Sequence, residues 1–236
     1  MMIEASSTPY PVDMSPEPNP GWFEGRTAVV VLDDGTRVLI RPIRSDDKRL
    51  LQEGIQHLSA RSRYLRFLHY LERLTPAELR YLTEIDYQNH FAWVALSLDQ
   101  PDQIGLGVAR YIRERARPNQ AEAAVAVIDD YQRRGLGRLL LSRLADSARE
   151  NGIDAFIAYL APDSPVVVHL LHNVAGATTS NEDGLLKVIV PLGAADPGPG
   201  SETMLRAAAG GTADFLAPVD RAIARPGDSV KARRRG

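Results

Sequence analysis

Between Phe91 and Leu160 the chain changes from helical to strand-like periodicity, and this block constrains the fold more than any other part of the sequence. "FAWVALSL", "IGLGVARYIRE" and "AEAAVAVI" are three apolar runs in succession, separated by turn-forming clusters at "DQPDQ" and at Arg117-Pro118-Asn119. Each has the length and composition of a strand. The third leads through a glycine-punctuated turn, "YQRRGLG", into "GRLLLSRLADSARE". Around that turn and along that segment Leu136, Leu139, Leu140, Leu144 and Ala148 recur at helical spacing and form one apolar stripe. Asn151-Gly152 is a good C-terminal cap pair, and "IDAFIAYL" follows as a buried strand. Hairpins followed by a βαβ unit require a mixed α/β sheet with helices on its faces.

The flanking segments extend this pattern. "TAVVVLDDGTRVLIRPI" reads as a hairpin turning at Asp34-Gly35. Ser45 is expected to cap a helix through "KRLLQEGIQHL", with Asp46 and Asp47 in its first turn, where carboxylates suit the helix dipole. "ARSRYLRFLHYL" reads as a second helical piece. "AELRYLTEI" reads as a third, with Thr75 as its cap and Pro76 as its first residue. Beyond "IDAFIAYL", "SPVVVHLLHNV" reads as a short helix and "ATTSNEDGLLKVIVPL" as a closing hairpin that turns at Asp183-Gly184. The expected order is β-β-α-α-α-β-β-β-α-β-α-β-β.

Composition narrows what such a sheet can serve. The Pro-, Ser- and acid-rich start reads as a flexible leader over residues 1–26, ahead of a folded domain over 27–192. The breaker cluster "GAADPGPGSE" opens a tail over residues 193–236, in which short helices are possible. A net charge of −2 supplies no global field towards nucleic acid or anionic membrane. No apolar run approaches the ~20 residues of a membrane span, and the N-terminus lacks the pattern of a signal peptide. A cytoplasmic protein is therefore expected, with neither nucleic acid nor membrane as partner. The absence of cysteine excludes disulfides, thiolate metal sites and a cysteine-bound acyl intermediate. The histidines show no metal-ligand spacing, and no metal is expected. "RSRYLRFLHY" alternates basic and aromatic residues. At helical spacing Tyr64, Leu65 and Leu68 are more simply a core stripe with basic residues outside it.

Two features carry candidate chemistry. The first is the turn ahead of the leucine-rich helix. Helix N-termini present unpaired N–H groups and a partial positive charge. Gly135 and Gly137 permit close backbone approach, and Arg133, Arg134 and Arg138 add positive charge. This suits a pyrophosphate, and it equally suits a tight turn with solvated arginines. There is no G-x-x-x-x-G-K-[ST] and no G-x-G-x-x-G opening a first βαβ unit, so two common nucleotide loops are excluded. The second feature is Glu122. By alternation it shares a face with Ala124, Ala126 and Ile128, where a charge is unusual. It also reads as a solvated residue at a strand start, after the polar "RPNQ".

The spacing Gln132-x-x-Gly135-x-Gly137, after a strand and before an amphipathic helix, resembles the acetyl-CoA motif of the GNAT N-acetyltransferases. The element order matches that fold from about Ala28 to Leu192. "DGTRVLIRPIRSDD", "LSARSRYLRFL", "LTEIDY", "GVARYIR" and "AEAAVAVIDDYQRRGLG" are similar to the catalytic domain of bacterial Pat-type protein lysine acetyltransferases. The resemblance implies a mostly antiparallel central sheet that splays at the cofactor site. It implies that the backbone N–H groups of Arg133, Arg134, Gly135, Leu136, Gly137 and Arg138 hold the pyrophosphate of acetyl-CoA. Val125 and Val127 would pair through their backbone with the pantetheine arm, and Gln132 would brace the loop. Glu122 would be the general base that deprotonates the acceptor amine, most directly a protein lysine. Within the same likeness, a small-molecule or N-terminal amine acceptor is the alternative reading. A catalytically weak acyl-CoA-binding regulatory protein is another. The sequence departs from the family in one region. Ser164 stands where many members carry a cofactor-contacting Asn. His169 and His172 occupy a helix that often holds a Tyr acid, Tyr159 being another candidate for that role. Ala175-Gly176-Ala177 replaces a common "AGF".

Overall fold

The computed structural model describes residues 18–59, 73–100, 104–160, 177–182 and 185–193. The elements run α1 (Pro20–Glu24), β1 (Ala28–Val31), β2 (Arg37–Pro42), α2 (Lys48–Gln56) and α3 (Pro76–Thr83). Then come β3 (His90–Ser97), β4 (Gly105–Arg113), β5 (Gln120–Val127), a 3₁₀ turn (Asp129–Tyr131) and α4 (Leu136–Glu150). The last three are β6 (Ala155–Leu160), β7 (Thr178–Glu182) and β8 (Leu185–Pro191). Eight strands form one sheet in the order β1-β2-β3-β4-β5-β6-β8-β7. Every neighbouring pair is antiparallel except β5–β6, which α4 connects in parallel. This is the expected mixed α/β sheet, with the βαβ unit where the glycine turn and leucine stripe fall.

α4 covers one face. Leu136, Leu140, Leu144 and Ala148 are buried as their spacing requires. Leu141 shares that buried surface, while Leu139 is only partly covered. Trp93 on β3 fixes the helix from below, its indole N–H 3.1 Å from both the Arg143 carbonyl and the Ser147 hydroxyl. Gly107 on β4 makes this packing possible. A Cβ there would lie 2.9 Å from the Ala126 carbonyl oxygen and 3.1 Å from a Leu140 methyl. α2 and α3 cover the other face, where Ile55, Leu82 and Ala124 form a smaller cluster.

Three local expectations meet the tertiary structure differently. Thr75 and Pro76 start α3 as expected, and Glu78 completes a capping box. The Thr75 hydroxyl accepts from the Glu78 N–H at 3.2 Å, and the Glu78 carboxylate accepts from the Thr75 N–H at 2.6 Å. Ser45, in contrast, does not cap α2. That helix begins at Lys48, and Asp47 at the cap position makes no side-chain cap bond. Its carboxylate instead receives two 2.6 Å bonds from Arg41 and one of 2.7 Å from the Arg44 N–H. A guanidinium buried on β2 requires a bidentate partner more than the helix requires a cap.

Packed structure is also present ahead of residue 27, in α1. Phe23 on α1 is 5% exposed. The rings of Trp22 and Phe23 lie 5.1 and 5.6 Å from that of Tyr87. Two adjacent aromatics supply apolar area that the Pro- and Ser-rich composition around them conceals. The segments "ARSRYLRFLHYL" and "SPVVVHLLHNV", the Asp183-Gly184 turn and the tail beyond Gly193 lie outside the described residues.

Candidate active site

The site is organised by β5. The Ile128 N–H donates to the Leu106 carbonyl on β4 at 3.0 Å. Backbone direction alternates along a strand, so Ala126 and Ala124 also turn their polar groups to β4. Those of Val125 and Val127 face the other way, towards β6. β6 is paired with β5 only at Gln120↔Ala155, Ala121↔Phe156 and Glu122↔Ile157. Beyond that point β6 continues against β8 alone, with Ala158, Tyr159 and Leu160 opposite Val188, Lys187 and Leu186. The two central strands therefore part after Glu122 and leave a gap flanked by the backbone of Val125 and Val127.

The glycine turn closes the wide end of this gap. Gln132 donates from Nε2 to the Val127 carbonyl at 3.0 Å and so ties the turn to the end of the strand. Arg133 and Gly135 hold left-handed backbone, at φ 60° and 82°. Glycine adopts that conformation without strain. Gly135 is the N-cap residue of α4 and offers no side chain to the helix, and the first turn holds no acidic residue. The N–H groups at this end are thus presented outward. Leu136 and Gly137 are buried and Arg138 is exposed. Arg134 stacks on Tyr131, 4.8 Å above the ring centroid, and bonds Asp34 at 2.7 Å.

Glu122 lies at the narrow end and is 7% exposed, so it is not a solvated strand-end residue. It is on the α2/α3 face. Ala124 belongs to the cluster beneath those helices, and Ala126 and Ile128 line an apolar cavity below Leu51 and Leu58. Arg110 borders the same cavity and is diagonal to Glu122 across β4 and β5, with Ile112 opposite Glu122 and Arg110 opposite Ala124. Arg110 is 1% exposed and donates to the Leu82 carbonyl from both Nη atoms, at 3.2 and 3.3 Å. It lies 2.9 Å from His90 Nε2. Burial, and then the Arg110 charge, hold the His90 imidazole well below its usual pKa. The Tyr81 ring is 5.3 Å from that of His90. Its phenol is pushed up chiefly by burial; the Arg110 charge opposes this shift and the Glu122 charge adds to it.

Tyr81, His90 and Arg110 were not singled out by the sequence reading as parts of this site. Arg110 had a signal, a cation at the centre of the apolar run "IGLGVARYIRE". Tyr81 and His90 had none, because their relation to Glu122 depends on sheet register and on the docking of α3. Tyr159 is buried, and its hydroxyl donates to Glu182 at 3.0 Å. Ser164, His169 and His172 lie outside the described residues. Among the described residues no group of three or more His, Cys, Asp or Glu is placed to hold a metal ion, and no helix is long and apolar enough to cross a membrane.

A sheet that opens beside a glycine turn and a helix N-terminus, with a buried carboxylate at the vertex, is the arrangement that the GNAT resemblance implies. The model of the acetyltransferase (GNAT) family matches residues 48–176, more than half of the chain. The chain belongs to this family and is by that membership an acetyltransferase. It is 41% identical over 129 residues to an acetyltransferase of Pseudomonas aeruginosa, which covers 55% of this chain and 69% of that protein. It is 33% identical over 146 residues to the acetyltransferase Pat of Mycolicibacterium smegmatis. That match covers 61% of this chain and only 42% of the longer Pat protein. The crystal structure of the GNAT domain of S. lividans PAT superposes with a TM-score of 0.61 at 29% identity, covering 74% of this chain and 99% of that domain.

Proposed function

We propose that this protein transfers the acetyl group of acetyl-CoA directly to the amine of a protein lysine, with Glu122 as general base. The observation that carries the reading is the end of β5–β6 pairing at Glu122. The gap beside Val125 and Val127 suits an extended amide arm, which bonds their backbone as a further strand would. The presented N–H groups from Arg133 to Arg138 suit the pyrophosphate, with Gln132 holding the loop in place. Ser164 is assigned to the donor as well, on its place in the family resemblance alone. A donor bound this way has its thioester at the narrow end, beside the carboxylate.

A lysine amine with a pKa of about 10.4 arrives protonated at neutral pH. Glu122 removes that proton, and the nitrogen lone pair attacks the thioester carbonyl. The C–N bond forms, the C–S bond breaks, and the departing coenzyme A thiolate takes up the second proton, which the new amide nitrogen gives up. Without cysteine in the chain, direct transfer is the simplest route. The lysine acceptor rests on the Pat-like sequence blocks and on the identity to Pat. The cytoplasm is the location we assign with it.

The test is acetyl-lysine mass spectrometry on a deacetylated lysate treated with the protein and acetyl-CoA, beside a Glu122→Gln control. New sites that require Glu122 support the reading. If no new sites appear although acetyl-CoA still raises the melting temperature, the lysine acceptor is wrong.

A further inference from the structure

The register across the sheet brings the first hairpin to the glycine turn. Val31 pairs with Arg37, Val38 with Ser97, Leu96 with Gly105, and Gly107 with Val127. The β1–β2 turn and the end of β5 therefore lie at the same end of the sheet. The side chains then meet. Asp34 accepts from Arg134 at 2.7 Å and from the Thr36 N–H at 3.0 Å. The Asp33 carboxylate lies 3.5 Å from where a Cβ on Gly135 would be. Two carboxylates thus face a turn whose geometry otherwise favours an anion. The Thr36 hydrogen bonds, and with them Arg134, hold the Asp34 carboxyl below its usual range, so it is charged at neutral pH.

We propose that Asp34 sets donor affinity by competing with the donor's phosphates for Arg134. This rests on the assignment of the turn as the pyrophosphate site. The pair is exchangeable, because its side chains are 38% and 36% exposed and the interaction is screened by solvent. An anion must draw Arg134 from Asp34 and approach Asp33, which weakens every phosphate ligand alike.

The experiment is calorimetric titration of acetyl-CoA into the full chain, comparing the unaltered protein, Asp34→Asn and Gly135→Val at low and high salt. Asparagine keeps the oxygen that accepts from Thr36, so the turn is retained. Asp34→Asn is expected to bind acetyl-CoA about two- to five-fold more tightly at low salt, a gain that fades in high salt. Unchanged or weaker binding by Asp34→Asn, with Gly135→Val strongly impaired, overturns the role of Asp34 alone. Unimpaired binding by Gly135→Val overturns the loop assignment and this inference with it.

Discussion

The Arg110 guanidinium lies 2.9 Å from His90 Nε2. A guanidinium only donates, so Nε2 accepts and the imidazole proton resides on Nδ1. His90 is held neutral in the folded protein, first by burial and then by the Arg110 charge. In the unfolded chain it titrates near the ordinary value of 6.5. Between its depressed folded value and 6.5 the unfolded state binds the extra proton, so stability rises with pH. The contribution is complete above about pH 6.5 and is lost as pH falls below it. Thermal melts of the protein and of His90→Gln, which keeps an acceptor for Arg110, should differ in slope between pH 5 and 7. The variant should show the shallower dependence.

Glu122→Gln tests the base. A positioned general base contributes about 10²–10⁴-fold in rate, so turnover with saturating acceptor should fall by about a hundred-fold or more. Acetyl-CoA affinity should stay within about two-fold of the unaltered protein on the same warrant, since a proton-transfer group acts on the chemical step. The deficit should narrow as pH approaches the amine pKa of about 10.4, where the acceptor deprotonates without help. An equal deficit at all pH values would assign Glu122 a purely structural role.

Gly135 stands at φ 82°. Valine there strains the backbone by about 1–3 kcal/mol and turns the presented N–H groups away. Acetyl-CoA affinity should fall by about ten-fold or more, roughly 1.4 kcal/mol. Circular dichroism should confirm that the fold survives.

Asp47 and Arg41 form a buried ion pair with side chains 3% and 9% exposed. Asp47→Ala leaves the guanidinium without its counter-charge and should cost about 3–5 kcal/mol in urea unfolding. Replacing both residues with apolar side chains of similar volume should recover most of that loss. A loss of similar size in the double variant would show that the helix start, not charge burial, is the source.

The strands, hairpins and leucine-striped helix were legible because each is written in local periodicity. So was the glycine turn, whose residues are contiguous. What escaped local reading was decided by residues distant in sequence or by competition between two local rules. Ser45 suits a helix cap and Asp47 a first helical turn in "RPIRSDD", but the buried Arg41 draws Asp47 into an ion pair and the helix starts later. Arg134 meets Asp34, one hundred residues earlier, and only the sheet register brings them together. The burial of Glu122 likewise needed the docking of α2 and α3. Trp22 and Phe23 were masked by the composition of their neighbours.

The parting of β5 from β6 also bears on how the gap is held open. The five strands on one side and the three on the other share three residue pairs, from Gln120 to Glu122. One continuous apolar core joins them besides, and Tyr111 on β4 lies against Phe156 on β6 with ring centroids 6.2 Å apart. The opening beside Val125 and Val127 is thus built into the packed sheet, and a ligand that enters it has no strand pairing to break.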